Sequence, residues 1–241
     1  MRIVDLRSDT VTMPTSKMRQ VMKDAEVGDD GFGEDPTTNR LEEMAAERLG
    51  REDALFVPSG IMGNLIAIMV HTKPGDGLIC DRKAHINTMV AGNTSALTGT
   101  TICPLDADET GHLNLEELES LINLDDVRFP RTSLIVLENT NNLAGGTVVT
   151  PEETAKIYKI AERYGLRLHL DGARIFNSAI FQGIDVAELT GDCDSIMFCL
   201  SKGFDSDNGG IFCTPKYAQH VLFQRKCGAW SRWVCGARDG G

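Results

Sequence analysis

The sequence predicts an α/β fold in which helices flank a mostly parallel sheet. Helical patterns alternate with short runs rich in apolar and β-branched residues, and this alternation is typical of parallel strands joined by right-handed crossovers. Polar residues close several of these runs, as expected where strands end at a ligand-binding edge. No internal repeat or low-complexity linker interrupts the chain, so we expect one continuous domain over residues 1–226.

Two helices are predicted from the signals at their ends. Residues 37–50 have a threonine cap and a terminal glycine around an apolar face. The residues expected on that face are Leu41, Met44, Ala45 and Leu49. The second helix starts after Thr150, where Pro151 takes the first helical position and Glu153 can complete a capping box. Gly165 ends this helix.

Four strands are predicted in the second half of the chain. They comprise residues 133–139, 166–172, 195–201 and 209–214. Glu138, Asp171 and Lys202 lie at or just after the ends of the first three strands. Because ligands of open α/β sheets gather at the carboxyl ends of strands, these three residues are candidates for a functional site.

Composition excludes several classes of function. The formal net charge of −11 over 241 residues disfavours a nucleic acid or an anionic membrane as the partner, since both need clustered Lys and Arg. The longest apolar stretch, residues 65–70, is too short to cross a bilayer, and the N-terminus has no signal-peptide pattern. Seven cysteines without a CxxC spacing disfavour a disulfide scaffold and a zinc or other metal site. We therefore expect a cytoplasmic protein with reduced thiols.

The polar strand ends indicate a specific chemistry. A lysine and a carboxylate that follow neighbouring strands suit pyridoxal 5′-phosphate (PLP), whose aldehyde reacts with the amine and whose ring nitrogen pairs with the carboxylate. Lys202 and Asp171 are those residues. The Ser59-Gly60 turn before a helix start would supply backbone N–H groups for the phosphate. His169 shares a strand face with Asp171, and we interpret it as a hydrogen-bonded core histidine.

Longer motifs carry a resemblance to a known family. They are DLRSDTV (5–11), VGDDGFGEDPTTNRLE (27–42), FVPSGIMGNLIA (56–67), LENTNN (137–142), LHLDGARIFN (168–177) and CLSKG (199–203). With these motifs the chain resembles the low-specificity L-threonine aldolases, PLP-dependent enzymes of fold type I. The resemblance implies the large domain of that fold, with an N-terminal arm. It also implies cleavage of L-threonine or L-allo-threonine to glycine and acetaldehyde, and assembly as a homodimer or homotetramer.

The resemblance assigns roles to individual residues. Lys202 corresponds to the Schiff-base lysine, and Asp171 to the partner of the pyridine nitrogen. Arg174 corresponds to the arginine that binds the substrate carboxylate beside the cofactor, and His85 to the histidine stacked on the cofactor ring. These four are the expected catalytic residues. The expected phosphate loop comprises Gly60, Ile61 and Met62, and the expected substrate contacts add Ser8 and Asn141.

Several positions depart from the family pattern. Asn141 replaces a histidine, Ile61 replaces a threonine, and an acidic stretch with Asp205 and Asn208 follows the lysine. We expect residues 227–241 to form no domain and the family's small C-terminal domain to be missing. The alternative to a working aldolase is therefore a catalytically impaired, aldolase-like pseudoenzyme or a truncated fragment that acts, if at all, as a dimerisation partner. A different fold-type I activity, such as desulfuration or decarboxylation, is the third and least favoured hypothesis.

Overall fold

The computed structural model describes residue 5, residues 7–202 and residues 210–214. The acidic stretch with Asp205 and Asn208, and the tail predicted for residues 227–241, lie outside the described residues. The division into a domain over residues 1–226 and a separate tail therefore stays a prediction.

The described strands form a seven-stranded sheet in the order β1-β7-β6-β5-β4-β2-β3. The strands are β1 (Asp53–Val57), β2 (Gly77–Asp81), β3 (Thr101–Leu105), β4 (Thr132–Glu138), β5 (Arg167–Asp171), β6 (Ser195–Cys199) and β7 (Gly210–Thr214). Strands β3, β2, β4, β5 and β6 are parallel, whereas β7 runs antiparallel to both β6 and β1. The predicted mostly parallel α/β fold is confirmed, and the four predicted strands are present.

Helices surround this sheet. The described α-helices are α1 (Ser16–Asp24), α2 (Pro36–Arg48), α3 (Gly60–His71), α4 (His85–Thr88), α5 (Asn93–Thr98), α6 (Leu115–Ser120), α7 (Pro151–Tyr164), α8 (Ile175–Gln182) and α9 (Val186–Thr190). The predicted capping box is present at α7: Thr150 accepts a hydrogen bond from the Glu153 N–H, and the Glu153 carboxylate accepts one from the Thr150 N–H. None of the described helices has the length and apolar content needed to cross a bilayer.

The start of α2 differs from its prediction. Asp35, rather than a threonine, caps the helix, because its carboxylate accepts a 2.7 Å hydrogen bond from the Thr38 N–H. Pro36 can then take the first helical position, where its missing N–H costs nothing. Met44 was also wrongly placed on the apolar face, since it is 51% exposed, and the buried face instead includes Ala46.

The main core lies between the sheet and the helices on one side. Fully buried side chains from β4 and β5, such as Ile135 and Leu168, pack there with Ile157 of α7. On the other side α3 packs against β5, β6 and β7. This arrangement brings the start of α3 to the carboxyl ends of β5 and β6.

Candidate active site

A cleft of about 330 Å3 lies at the carboxyl ends of β4, β5 and β6. It is lined by seven of the predicted site residues: Ser8, Gly60, Ile61, His85, Asp171, Arg174 and Lys202. Asp171 and Lys202 meet here because β5 and β6 are parallel and end at the same edge of the sheet, and the bond between Asp9 and Arg174 brings Ser8 to that edge.

Asp171 forms the floor of this cleft. It is the last residue of β5, lies beside Glu138 of β4 in register, and is only 3% exposed. The Asn64 side-chain amide donates to its Oδ2 (2.7 Å), and the Ala173 N–H donates to its Oδ1 (3.2 Å). Burial raises the pKa of this carboxyl, while the neighbouring His85 and Lys202 oppose the rise. Asp171 therefore has hydrogen-bond acceptor capacity left for one further cationic partner.

The start of α3 forms a second wall. Ser59 caps the helix and its hydroxyl accepts from the Met62 N–H at 3.2 Å. The N–H groups of Gly60 and Ile61 belong to the first turn, so they have no acceptor within the helix. Together with the positive end of the helix dipole, these donors suit a phosphate group.

Arg174 faces the N-terminal arm across the cleft. Its Nε and Nη2 donate to the two carboxylate oxygens of Asp9 at 2.5 and 2.8 Å. The guanidinium holds the pKa of Asp9 below its usual range. Asp9 lies in a short 3-10 helix, Asp9–Val11, capped by the Ser8 hydroxyl. The structure thus places Ser8 next to the ion pair that Arg174 makes with Asp9.

His85 and Glu138 complete the electrostatics of the cleft. The backbone N–H of His85 donates to Glu138 Oε2 (2.8 Å), and the backbone N–H of Asn142 donates to Oε1 (3.0 Å). Burial, aided by the charge of Asp171, raises the pKa of Glu138 to about 7. Burial also lowers the pKa of His85, as do the charges of Lys202 and Arg174, against the opposing charge of Asp171. At neutral pH the imidazole is therefore uncharged.

Two predicted residues do not line the cleft. The Met62 N–H is already bonded to Ser59. Asn141 is turned away: its side-chain amide donates to Asp81 Oδ2 at 3.0 Å, and it lines a neighbouring cavity of about 210 Å3. Asn142, the next residue, lines the cleft instead.

Sequence reasoning missed Asn64 altogether. Its position four residues after Gly60 places it on the same face of α3, one turn further along the helix. The signal that the sequence offered was a polar residue one turn after the Ser59-Gly60 turn, whereas its burial is visible only in the structure.

The comparisons with known proteins identify the family. Residues 5–229 match the model of the beta-eliminating lyase family. The chain belongs to this family. It is 45% identical over 214 residues to low-specificity L-threonine aldolase 1 of Arabidopsis thaliana, covering 88% of this chain and 60% of the relative. It is 41% identical over 225 residues to the low specificity L-threonine aldolase of Escherichia coli K12, covering 93% and 67%.

Solved structures give the same fold. A threonine aldolase structure from Leishmania major superimposes with a TM-score of 0.79 at 22% identity, covering 91% of this chain and 66% of that chain.

A further sequence relative shows how much of the relatives' length the chain covers. An uncharacterised protein of Caenorhabditis elegans, R102.4, is 40% identical over 230 residues, which are 56% of its length. The chain thus spans between about half and two thirds of the length of these relatives.

The family is PLP-dependent, and the residues present fit this cofactor. Asp171 is a buried acceptor, the first turn of α3 presents unpaired donors, and Lys202 carries the primary amine on the same cleft. The close approach of Gly60 to β6 adds to the fit, since a Cβ there would lie 2.7 Å from Cys199 Sγ. The aldehyde, the ring nitrogen and the phosphate of PLP therefore each have a matching group.

Proposed function

We propose that this chain forms the cofactor-binding part of a PLP-dependent lyase that cleaves L-threonine or L-allo-threonine to glycine and acetaldehyde. The observation that carries the proposal is that Lys202, Asp171, Arg174 and the start of α3 line one cleft. The 41% and 45% identity to relatives named low-specificity L-threonine aldolase supports the substrate. Neither the site nor the comparisons favour the impaired alternative.

The proposed roles follow from the geometry. Bound PLP supplies an aldehyde for a lysine amine and a protonated ring that withdraws electrons from the bond being broken. Lys202 provides that amine, Asp171 accepts the ring N–H at a carboxylate oxygen, and the N–H groups of Gly60 and Ile61 hold the phosphate. The neutral His85 ring offers a flat surface to the cofactor without adding a cation beside Lys202.

Arg174 is proposed to bind the substrate carboxylate. Its Nε and Nη2 hold Asp9, and a guanidinium has five donors, so Nη1 remains for a second carboxylate. Asp9 fixes the plane of the guanidinium before substrate arrives. Ser8 lies beside this pair and adds a hydroxyl to the substrate side of the cleft.

The assembly and location belong to the same proposal. We propose a homodimer or homotetramer, supported by apolar side chains that this single chain leaves exposed on and after α1, such as Val21 (62%) and Val27 (82%). A cytosolic location is supported by the free thiols at the four cysteines whose side chains the structure describes.

The decisive experiment is visible absorbance of the purified protein mixed with PLP. The expected result is the band of lysine-bound PLP, followed by acetaldehyde release when L-threonine or L-allo-threonine is added. Lys202→Ala should abolish both, because no other group in the described part of the cleft offers a primary amine.

Lys159→Ala is the matched control, since Lys159 lies on the exposed face of α7. It should keep both the band and turnover. A folded wild-type protein with no band would refute the cofactor site. A band without acetaldehyde would refute the aldolase activity while leaving the cofactor site intact.

A further inference from the structure

Four side chains form a buried hydrogen-bonded chain that runs from Asp171 to the last residue of α3. Asn64 bonds Asp171 (2.7 Å), His169 Nε2 lies 3.0 Å from Asn64 Oδ1, His169 Nδ1 lies 2.8 Å from Ser195 Oγ, and Ser195 Oγ lies 2.8 Å from His71 Nε2. Asn64, His169 and Ser195 are at most 3% exposed. This set is called the relay below.

With Asp171 ionised, the chemistry of each group allows one direction for the relay. An ionised carboxylate only accepts hydrogen bonds, so Asn64 presents its NH2 to Asp171 and its oxygen to His169. His169 must then carry its proton on Nε2, which leaves Nδ1 as an acceptor for the Ser195 hydroxyl. The Ser195 oxygen in turn accepts from a proton on Nε2 of His71. Every proton in the relay thus points toward Asp171.

Neither imidazole brings a charge to Asp171. Burial lowers the pKa of His169 to about 3, and burial lowers the pKa of His71 to about 4. The charged groups that act on His71 are Asp194 and Arg167, which have opposite effects on it. Both rings are therefore neutral at neutral pH, and the relay acts on Asp171 through aligned dipoles.

The aligned relay has a clear task. Burial alone disfavours the ionised form of Asp171, whereas pairing with a protonated ring nitrogen requires that form. We propose that Asn64, His169, Ser195 and His71 are positioning residues that keep Asp171 ionised for the cofactor's ring nitrogen. The inference deepens the proposed function, because it rests on Asp171 facing PLP.

The direct test is nitrogen-15 NMR of the histidine side chains in the PLP-loaded protein. The expected spectrum has His169 and His71 as neutral rings, both protonated on Nε2. A proton on Nδ1 of His169 in the loaded protein would overturn the proposal, because the relay would then point away from Asp171. This measurement needs no variant.

Ser195→Ala breaks the relay in its middle. His169 Nδ1 then lies next to the backbone oxygen of residue 195, at 3.2 Å, so the ring is expected to move its proton to Nδ1. Asn64 must then turn its NH2 toward His169 and its oxygen toward Asp171, which disfavours the carboxylate. The dissociation constant for PLP should rise about ten- to a hundredfold, as for the loss of one hydrogen bond to a charged group.

Ser133→Ala is the matched control. Ser133 lies on β4 of the same sheet, and its buried hydroxyl has no hydrogen-bond partner among the described residues. It should leave both the His169 spectrum and PLP binding unchanged. An unchanged His169 spectrum in a folded Ser195→Ala protein, with PLP affinity equal to that of Ser133→Ala, would refute the relay.

Failure of the cofactor site can be told apart from failure of the relay. A wild-type protein that binds no PLP refutes the site, but the same spectrum of the cofactor-free protein still tests the relay. A continuous relay requires matched rings, with both protons on Nε2 or both on Nδ1. Rings protonated on different nitrogens would overturn it.

Discussion

Glu138 is a partly buried carboxyl that faces the cleft from the end of β4. Two backbone N–H groups, from His85 and Asn142, donate to it, yet burial and the charge of Asp171 keep its pKa raised to about 7. In the unfolded chain a glutamate titrates near pH ~4.3. Between these two values the folded protein holds a proton that the unfolded chain has released, so stability falls as the pH rises through this window.

Glu138→Gln removes that titration. The wild type should lose unfolding free energy when the pH is raised from about 5 to about 8, and the variant should not. The difference in unfolding free energy between them should therefore shift in favour of the variant by on the order of 3 kcal/mol. Urea unfolding of the cofactor-free protein at both pH values measures the difference. Glu109→Gln, in an exposed turn, is the control for loss of a surface carboxylate, and an identical pH response of the two variants would contradict the prediction.

The sequence anticipates some of the candidate site and misses the rest for a physical reason. Lys202 and Asp171 directly follow or end predicted strands, and strand ends can be located by pattern. Asn64 is separated from Asp171 by 107 positions, so only the folded packing of α3 on the sheet reveals their contact. The orientation of Asn141 toward Asp81 likewise depends on a neighbouring strand.

At the scale of elements, the contact between α3 and β6 is unusually close. A Cβ at Gly60 would lie 2.7 Å from Cys199 Sγ and 3.1 Å from Met197 Sδ, and one at Gly63 would lie 2.6 Å from Met197 Cγ. These glycines let the start of the helix settle against the strand that leads to Lys202. The phosphate donors and the amine are thereby held at a fixed separation.

Gly60→Ala should disturb this contact. The added methyl group overpacks the helix–strand contact, so we expect a loss of about 1–3 kcal/mol in unfolding free energy together with weaker PLP binding. The double variant Gly60→Ala/Cys199→Ala removes the nearest obstructing atom and should recover most of both losses. Thermal unfolding and PLP titration measure the two effects.

Gly191→Ala is the control for this prediction. Gly191 has helical backbone angles, and the nearest atom to an added Cβ is 3.6 Å away. Alanine there should be neutral or slightly stabilising. If the double variant were no better than Gly60→Ala alone, the sulfur contact would not be the cause.

Some helices and strands can be predicted from local sequence patterns, and the pairing of others cannot. The helix α7 is recognisable because its cap, its first-turn proline and its terminal glycine are all local signals. The antiparallel direction of β7 agrees with its short connection to β6, because the ten residues between the two strands are too few for a parallel crossover, whereas its other partner, β1, lies more than 150 residues away in the sequence. The sequence predicts a mostly parallel sheet, but no local pattern encodes the pairing of β7 with β1, which only the fold reveals.

At the scale of the whole molecule, the described residues leave apolar side chains exposed toward the N-terminus. Val21 of α1 is 62% exposed, and Phe32 is 82% exposed. In α1 itself no residue is buried. Such a surface favours contact with a second copy of the chain.

Val21→Asp should therefore weaken self-association. We expect the wild type to have the mass of a dimer or tetramer by light scattering, and the variant to shift toward the monomer on dilution, since a buried carboxylate without a partner is costly. Val127→Asp is the control, because Val127 is 98% exposed in a loop. A wild-type monomer would contradict the prediction.

The helix α3 limits which substitutions this protein can tolerate. Its first turn holds the donors proposed for phosphate, Asn64 follows one turn later, and His71 closes it, all along a rod of about 18 Å. A slide or tilt of this helix displaces three things at once: the phosphate donors, the hydrogen bond from Asn64 to Asp171 and the contact between His71 and Ser195. A substitution that moves the helix therefore alters all three together. We expect substitutions in α3 to be tolerated only where they leave its packing against β6 unchanged.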